Sequence, residues 1–139
     1  MLFALVAFFL LSGPPDQKGF LVITSIETPL TEVKRAQLRQ IYLKKRDRLR
    51  GVLVTPLQLT EANPLRGQFE QELHSKHFNV DEYWQQQRLQ GGEKPPLEVT
   101  GEAVMLVYLE RNVGYIGYVS AGKRDALKGF KVKILTLLD

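Results

Sequence analysis

A nine-residue stretch near the end of the chain, Asn112 to Ser120, most constrains the fold. It is Asn-Val-Gly-Tyr-Ile-Gly-Tyr-Val-Ser and follows a run with helical character. Its tyrosine, isoleucine and valine side chains fit a pleated, mostly buried surface. Glycine inside a strand usually marks a bulge or a close approach of another group. The stretch predicts a central buried strand after a helix, with Gly114 ending the helix and Gly117 at a packing position.

Other apolar runs predict the rest of the sheet. Residues 20 to 25 form a continuous apolar run, which is typical of a strand covered on both faces. Residues 51 to 56 predict a second strand that ends at Pro56, and residues 131 to 138 a last strand at the sheet edge. Together these runs indicate an α/β fold with a mixed sheet of about four to five strands covered by helices.

Favourable N-cap residues mark four predicted helix starts, at Thr31, Asn63, Asn79 and Thr100. The first of these helices is expected to run to about Leu43. Asn63 is followed by Pro64, and proline is favoured at the first helical position. Helices are therefore expected to alternate with the strands along most of the chain.

The length and the first nineteen residues indicate one exported domain. A chain of 139 residues corresponds to a single domain. Residues 1 to 11 are all apolar, which is too short to span a bilayer but fits the apolar part of a signal peptide. The alternative is a buried N-terminal strand or helix of a cytosolic protein, and the polar linker before Phe20 favours export. We predict a signal peptide and linker over 1–19, one domain over 20–139, a periplasmic location and no stable membrane anchor.

No motif in the chain supports catalysis or metal binding. The absence of cysteine excludes disulfides, thiolate metal sites and a cysteine nucleophile. His74 and His77 are three residues apart on one predicted helix, but a metal site needs further ligands, and histidines near a helix C-terminus also complement its dipole. No nucleophile elbow and no phosphate-binding glycine loop is present. The sequence predicts a protein without enzymatic activity, metal or cofactor.

A basic segment, residues 34 to 50, contains eight lysines and arginines and one acidic residue. Such a segment suits an anion, a membrane surface or a nucleic acid, or it is a solvated helix face followed by a charged loop. No aromatic residues alternate with the charges as stacking platforms for single strands, and the formal charge of +4 is a mild excess. We therefore favour the solvated face and predict no nucleic-acid partner.

Several segments, taken in order, resemble one known family. They are a helix ending in Gln40-Ile41-Tyr42-Leu43, the strand 51–56, Arg66-x-x-Phe69, Tyr83-Trp84 followed by Gly91 and Pro95, and Val113-Gly-Tyr-Ile-Gly-Tyr-Val119. This order resembles the C-terminal part of the substrate-binding protein of phosphate ABC transporters, in the type 2 periplasmic binding protein superfamily. The resemblance covers roughly residues 20 to 120. It implies a single periplasmic-binding-protein-like domain and a non-enzymatic role in transport.

The phosphate-binding motif of that family is not matched. The family has an arginine and a Ser-Gly-Thr turn before the helix that starts near Asn63, whereas this chain has Leu59 to Leu65 with Glu61 among them. The helix starts at Asn63 and Thr100 still suit an anion, with Arg66 one turn into the helix, although plain capping also explains the first two. We predict a small anion bound by Asn63, Arg66 and Thr100. The alternative is a protein-interaction module that has lost ligand binding.

Overall fold

Eight strands occur in the computed structural model, which describes residues 19 to 139. They are β1 Phe20–Ser25, β2 Glu32–Lys34, β3 Arg48–Leu49, β4 Val52–Leu53, β5 Thr55–Leu59, β6 Leu97–Val99, β7 Tyr115–Ser120 and β8 Val132–Leu138. β3 and β4 form a separate hairpin, and the other six form one sheet in the order β2-β8-β1-β7-β5-β6. β1 is antiparallel to both of its neighbours, and the remaining pairs are parallel. Five strands of the sheet therefore share one direction and β1 alone is reversed.

Helices connect the strands of this sheet. They are α1 Arg35–Tyr42, α2 Pro64–Leu73, α3 Val80–Leu89, α4 Glu102–Arg111 and a 3₁₀ helix over Ala121–Gly129. The predicted α/β fold with a mixed sheet is confirmed, with six strands instead of four to five.

The predicted central strand lies inside the sheet. β7 pairs with β1 on one side, with Ile23 opposite Gly117, and with β5 on the other. Gly117 packs against α4, because a Cβ atom at this position would collide with Met105 and stand 3.1 Å from Leu109 Cδ1. Gly114 has a φ angle of +89° and follows the end of α4. Both predicted roles of these glycines are confirmed.

The prediction for β1 is also confirmed, since five of its six residues are buried. The prediction that β8 is an edge strand is wrong, because β8 lies between β2 and β1. The edge strand beside it, β2, occupies residues that we expected to begin the first helix. Val33 is buried there and pairs with Leu137, and α1 begins only at Arg35.

The predicted strand 51–56 divides into two elements. Val52 and Leu53 belong to the hairpin, and β5 then continues through Pro56 to Leu59. Pro56 does not end the strand, and Leu57, Gln58 and Leu59 pair with β6. The sequence did not predict β6, which lies shortly before α4.

Most of the predicted signal peptide, residues 1 to 18, lies outside the described residues. Within residues 19 to 139, no helix has the length and apolar character needed to cross a bilayer.

Candidate binding edge of the sheet

The parallel strands β5, β6 and β7 end at the same side of the sheet. Each of them leads into a helix, namely α2, α4 and the 3₁₀ helix. We call this region the carboxyl edge and define it as residues 59–66, 98–103 and 120. In open α/β sheets, ligands bind beyond the carboxyl ends of the strands, near helix N-termini. The backbone N–H of Thr60 donates to Val99 O at 3.2 Å, so the segments after β5 and β6 adjoin.

Asn63 caps α2, as the sequence predicts. Its Oδ1 accepts a hydrogen bond from the N–H of Leu65 at 3.0 Å, and its carbonyl oxygen accepts one from the N–H of Arg66 at 3.0 Å. Pro64 has no N–H group. The first turn of α2 therefore uses its donors internally, and few remain for a bound anion.

Arg66 is buried, and carboxylates neutralise its guanidinium. Its Nη1 donates to Glu98 at 2.7 Å and to Leu59 O at 3.0 Å, and its Nε donates to Glu70 at 3.2 Å. Burial lowers the pKa of Arg66, but the hydrogen bond to Glu98 and the charge of Glu70 raise it overall. The charged form of Arg66 is therefore held in place by two acidic side chains.

Further carboxylates surround this ion-pair network. Burial raises the pKa of Glu70, Arg66 lowers it, and the negative charges of Asp81 and Glu61 raise it again. Asp81 and Glu61 therefore lie close enough to act on Glu70 through their charge. Arg66 therefore has two carboxylates in contact, and two more lie near Glu70, so the local potential disfavours a free anion.

Thr100 is exposed and does not cap α4, so the prediction of its capping role is wrong. The N-cap is Gly101, whose backbone is extended and which has no side chain to accept a hydrogen bond. Glu102 at the first helical position turns toward β7, and its Oε1 accepts a hydrogen bond from the N–H of Ser120. A carboxylate of the chain itself therefore occupies a backbone donor at this edge.

The structure places the three predicted ligand residues, Asn63, Arg66 and Thr100, on the same edge of the sheet. Sequence reasoning noted Glu61 but missed the other acidic residues that accompany them, Glu70, Glu98 and Glu102. The four-residue spacing of Arg66 and Glu70 on one helix was a usable signal. Glu98 and Glu102 gave no such signal in the sequence, because only the fold brings them close to Arg66 and Ser120.

A groove of about 810 Å³ adjoins the carboxyl edge, between the end of α2 and the start of α3. Glu70 and Asp81 line it, together with Ser75, Asn79 and one basic residue, Lys76. The groove is open, and Phe78 and Val80 line it beside the polar residues, so it offers a partner both charged and apolar contacts.

The histidine pair does not form a metal site in the described residues. α2 ends at Leu73, so both histidines lie beyond the helix on which we expected them. His74 is buried against Phe78 with a ring separation of 5.0 Å, whereas His77 is exposed. Across residues 19 to 139, no group of three or more His, Asp or Glu side chains is arranged to hold a metal ion.

Comparison with solved structures identifies the architecture. An ABC-type phosphate transport receptor from Vibrio cholerae superposes with a TM-score of 0.67 at 19% identity, over 86% of this chain and 46% of the receptor. PstS from Borrelia burgdorferi gives a TM-score of 0.69 at 14% identity, over 86% of this chain and 47% of PstS. A putative phosphate ABC transporter substrate-binding protein from Clostridium perfringens, solved with bound phosphate, gives 0.63 at 14% identity, over 87% and 46%.

The fold is that of phosphate-transporter binding proteins. The predicted resemblance is confirmed at the level of the fold, and the structures compared are named as receptors and binding proteins, not as enzymes. This chain spans about half the length of each of them. No protein-family model matches the sequence, and no curated protein sequence matches it significantly.

Proposed function

We propose that this chain is an exported, non-enzymatic binding domain that acts through a protein partner and does not retain a free small anion at its carboxyl edge. The proposal rests on one observation: carboxylates of the chain itself accept the hydrogen bonds of the donors at the carboxyl edge. Glu98 and Glu70 accept hydrogen bonds from Arg66, and Glu102 accepts one from the N–H of Ser120. Charge-assisted donors are what an oxyanion needs, and here they already have partners.

The partner that fits this edge is basic. Glu70 and Asp81 line the adjoining groove, and Glu61 lies close to them. A lysine or arginine side chain of another protein would find complementary charge there. Lys76 also lines the groove and would repel a basic partner locally. We therefore expect the partner to make a few specific ion pairs with Glu70 and Asp81.

An anion screen tests the proposal. Thermal unfolding of residues 20 to 139 is measured with phosphate, sulfate and carboxylates, with the phosphate-bound Clostridium perfringens protein as the positive control. A ligand present at a hundredfold excess over its dissociation constant stabilises the folded state by about 2.7 kcal/mol. We expect this shift in the control and none in this chain. A clear shift with any of these anions would contradict the proposal.

A second candidate is binding of a small oxyanion by Asn63, Arg66 and Thr100. The first turn of α4 favours it, because Gly101 supplies no side-chain cap and leaves N–H groups at the positive end of the helix dipole. The fold shared with phosphate-binding proteins supports it as well. In the same screen, stabilisation that Arg66→Gln abolishes would establish this candidate in place of the first.

Export is the remaining part of the proposal and rests on the apolar run at residues 1 to 11. Periplasmic extraction of cells that express the full chain should release a shortened mature protein, identified by its N-terminal sequence. Recovery of the unprocessed chain in the cytosol would contradict a periplasmic location.

A further inference from the structure

We propose that a basic and aliphatic face at the opposite side of the sheet binds reversibly to an anionic phospholipid bilayer. We call it the amino face and define it as Ile26, the segment 44–53 and Val113. It lies where β5 and β7 begin, away from the carboxyl edge. The proposal goes beyond the function proposed above and does not depend on what the carboxyl edge binds.

Three exposed aliphatic side chains lie on adjoining turns of this face. Ile26, Leu53 and Val113 are 56%, 53% and 52% exposed. Their turns touch, because Gly114 N–H donates to Thr28 Oγ1 at 3.0 Å and a Cβ atom on Gly114 would stand 2.8 Å from Leu53 O. Large exposed aliphatic side chains gathered from three separate turns indicate a contact surface.

Positive charge surrounds these aliphatic side chains. Residues 44 to 50 contain five lysines and arginines and one acid, Asp47. Among the described residues, the only ion pair of this segment joins Arg50 to Glu32 at 3.6 Å. A groove of about 420 Å³ has Lys44, Lys45 and Arg46 in its lining, opposed by Asp47 and Glu93. The segment keeps a positive excess after these acids are counted.

The backbone fixes this charge at the tips of two turns. Lys44 and Arg50 have φ angles of 59° and 49°, in the left-handed region that favours glycine. Lys44 lies at the turn that ends α1, and Arg50 in the two-residue turn of the β3–β4 hairpin. At these turns Arg50 is exposed and Lys44 is partly exposed.

The chemistry of the face favours a bilayer over a protein. Protein interfaces depend on a packed central group, often tryptophan, tyrosine or arginine in a pocket. Here the exposed apolar side chains are all aliphatic, with no tryptophan or tyrosine among them. Aliphatic residues flanked by lysine and arginine are typical of proteins that bind the interface of anionic membranes, where each basic side chain strengthens binding severalfold.

Vesicle co-sedimentation of the mature chain tests the proposal. The probes are vesicles of mixed phosphatidylglycerol and phosphatidylcholine, and vesicles of phosphatidylcholine alone. We expect binding to the anionic vesicles only, and loss of that binding at high salt because salt screens the charges. Equal binding to both types, or no binding to either, would overturn the proposal.

Two sets of variants locate the contact. Arg46→Glu with Arg48→Glu should lower vesicle affinity at least tenfold, because both side chains are exposed on the amino face. The matched control, Lys123→Glu with Arg124→Glu, makes the same charge change on exposed residues of the 3₁₀ helix and should keep most of the binding. If both double variants lost vesicle binding equally, net charge alone would explain the effect, and the assignment of the amino face would be overturned. Thermal unfolding of each variant verifies the fold.

Leu53→Ser tests the aliphatic contribution without a charge change and should weaken vesicle binding severalfold. Full retention would overturn the role of the aliphatic side chains. Addition of inorganic phosphate separates a lipid surface from a free phosphate site. Phosphate that displaces the protein from vesicles more effectively than chloride at equal ionic strength would overturn the bilayer as the ligand.

Discussion

At the residue scale, Lys44 lies at a position whose backbone conformation favours glycine. Leu43 is the C-cap of α1, and the next two residues make the hydrogen bonds of a Schellman turn, from Lys44 N–H to Ile41 O at 3.1 Å and from Lys45 N–H to Gln40 O at 2.9 Å. This turn requires a left-handed residue after the helix, and Lys44 supplies it with a φ angle of 59°. A β-carbon in that conformation is strained.

Lys44→Gly is therefore expected to increase the free energy of unfolding by about 1 kcal/mol. α3 supplies a matched control, because Gly91 occupies the same turn position with a φ angle of +67° and open space around its Cα. Gly91→Lys should lower stability by a similar amount. Urea unfolding of both variants measures the two changes, and a loss of stability in Lys44→Gly would contradict this account.

His74 makes stability depend on pH. Burial, and to a smaller extent the charge of Arg39, together lower its pKa from 6.5 to about 4. The unfolded chain therefore binds more protons between pH 6.5 and 4, so His74 reduces stability as the pH falls through this window, by up to about 3 kcal/mol. The raised pKa of Glu70 acts in the opposite sense and partly offsets the loss.

His74→Gln should remove this part of the pH dependence. The measurement is urea unfolding at several pH values from 7 to about 4, with the slope against pH as the readout. His77→Gln is the matched control, because His77 is exposed and its variant should keep the slope of the parent protein. An unchanged slope in His74→Gln would contradict the assignment.

At the element scale, the contact of α4 with β7 depends on the absence of a side chain at Gly117. A Cβ atom there would collide with the sulfur of Met105 and press on Leu109. Both of these side chains are fully buried, so they have little room to move.

Gly117→Ala should lower stability by about 1–3 kcal/mol, because extra volume in a packed core forces neighbours aside. Met105→Ala creates space at the same contact, so the double variant should lose less than the sum of the two single variants. Thermal unfolding of the three variants gives this cycle. Simple additivity would show that the two positions do not interact.

The sequence pattern predicted the strands that are apolar along their length. It failed for strands that form only because they pair with a distant part of the chain. β1 and β7 are recognisable because most of their residues are apolar or aromatic. β2 is not, since Glu32, Val33 and Lys34 form a strand only by pairing with β8. β5 continues through Pro56 because Thr55 and Pro56 pair with β7 and the next three residues with β6. Such strands exist through long-range partners that a single sequence does not display.

At the scale of the whole molecule, the two ends of the sheet carry opposite charge. Glu61, Glu98 and Glu102 lie at the carboxyl edge and Glu70 pairs with Arg66 there, whereas the basic hairpin lies at the amino face. The positions of predicted helix starts were enough to select Asn63, Arg66 and Thr100 as candidate ligand residues. They did not locate Glu98 and Glu102, which lie 32 residues from Arg66 and 18 residues from Ser120. Their effect depends on which strands are neighbours, and that is a property of the fold.

If these carboxylates exclude free anions, their removal should admit one. Glu98→Gln leaves the charge of Arg66 less compensated, and Glu102→Ala frees the N–H of Ser120. We expect the double variant to bind phosphate with a dissociation constant on the order of 1 mM, about 4 kcal/mol of binding free energy. Isothermal titration measures this value, with the wild-type chain as reference.

The control for that gain is Glu72→Gln with Glu82→Ala, which removes two charges from exposed helix positions away from Arg66. Binding in the control as well would mean that net charge, not the edge, excludes the anion. If neither variant binds, the limit lies in the missing donors, because Asn63 and Pro64 close the first turn of α2. In that case Pro64→Gly in the double variant should restore an N–H at the helix start, and phosphate affinity should then appear. The two steps distinguish repulsion by carboxylates from a lack of hydrogen-bond donors as the cause of weak anion binding at this edge.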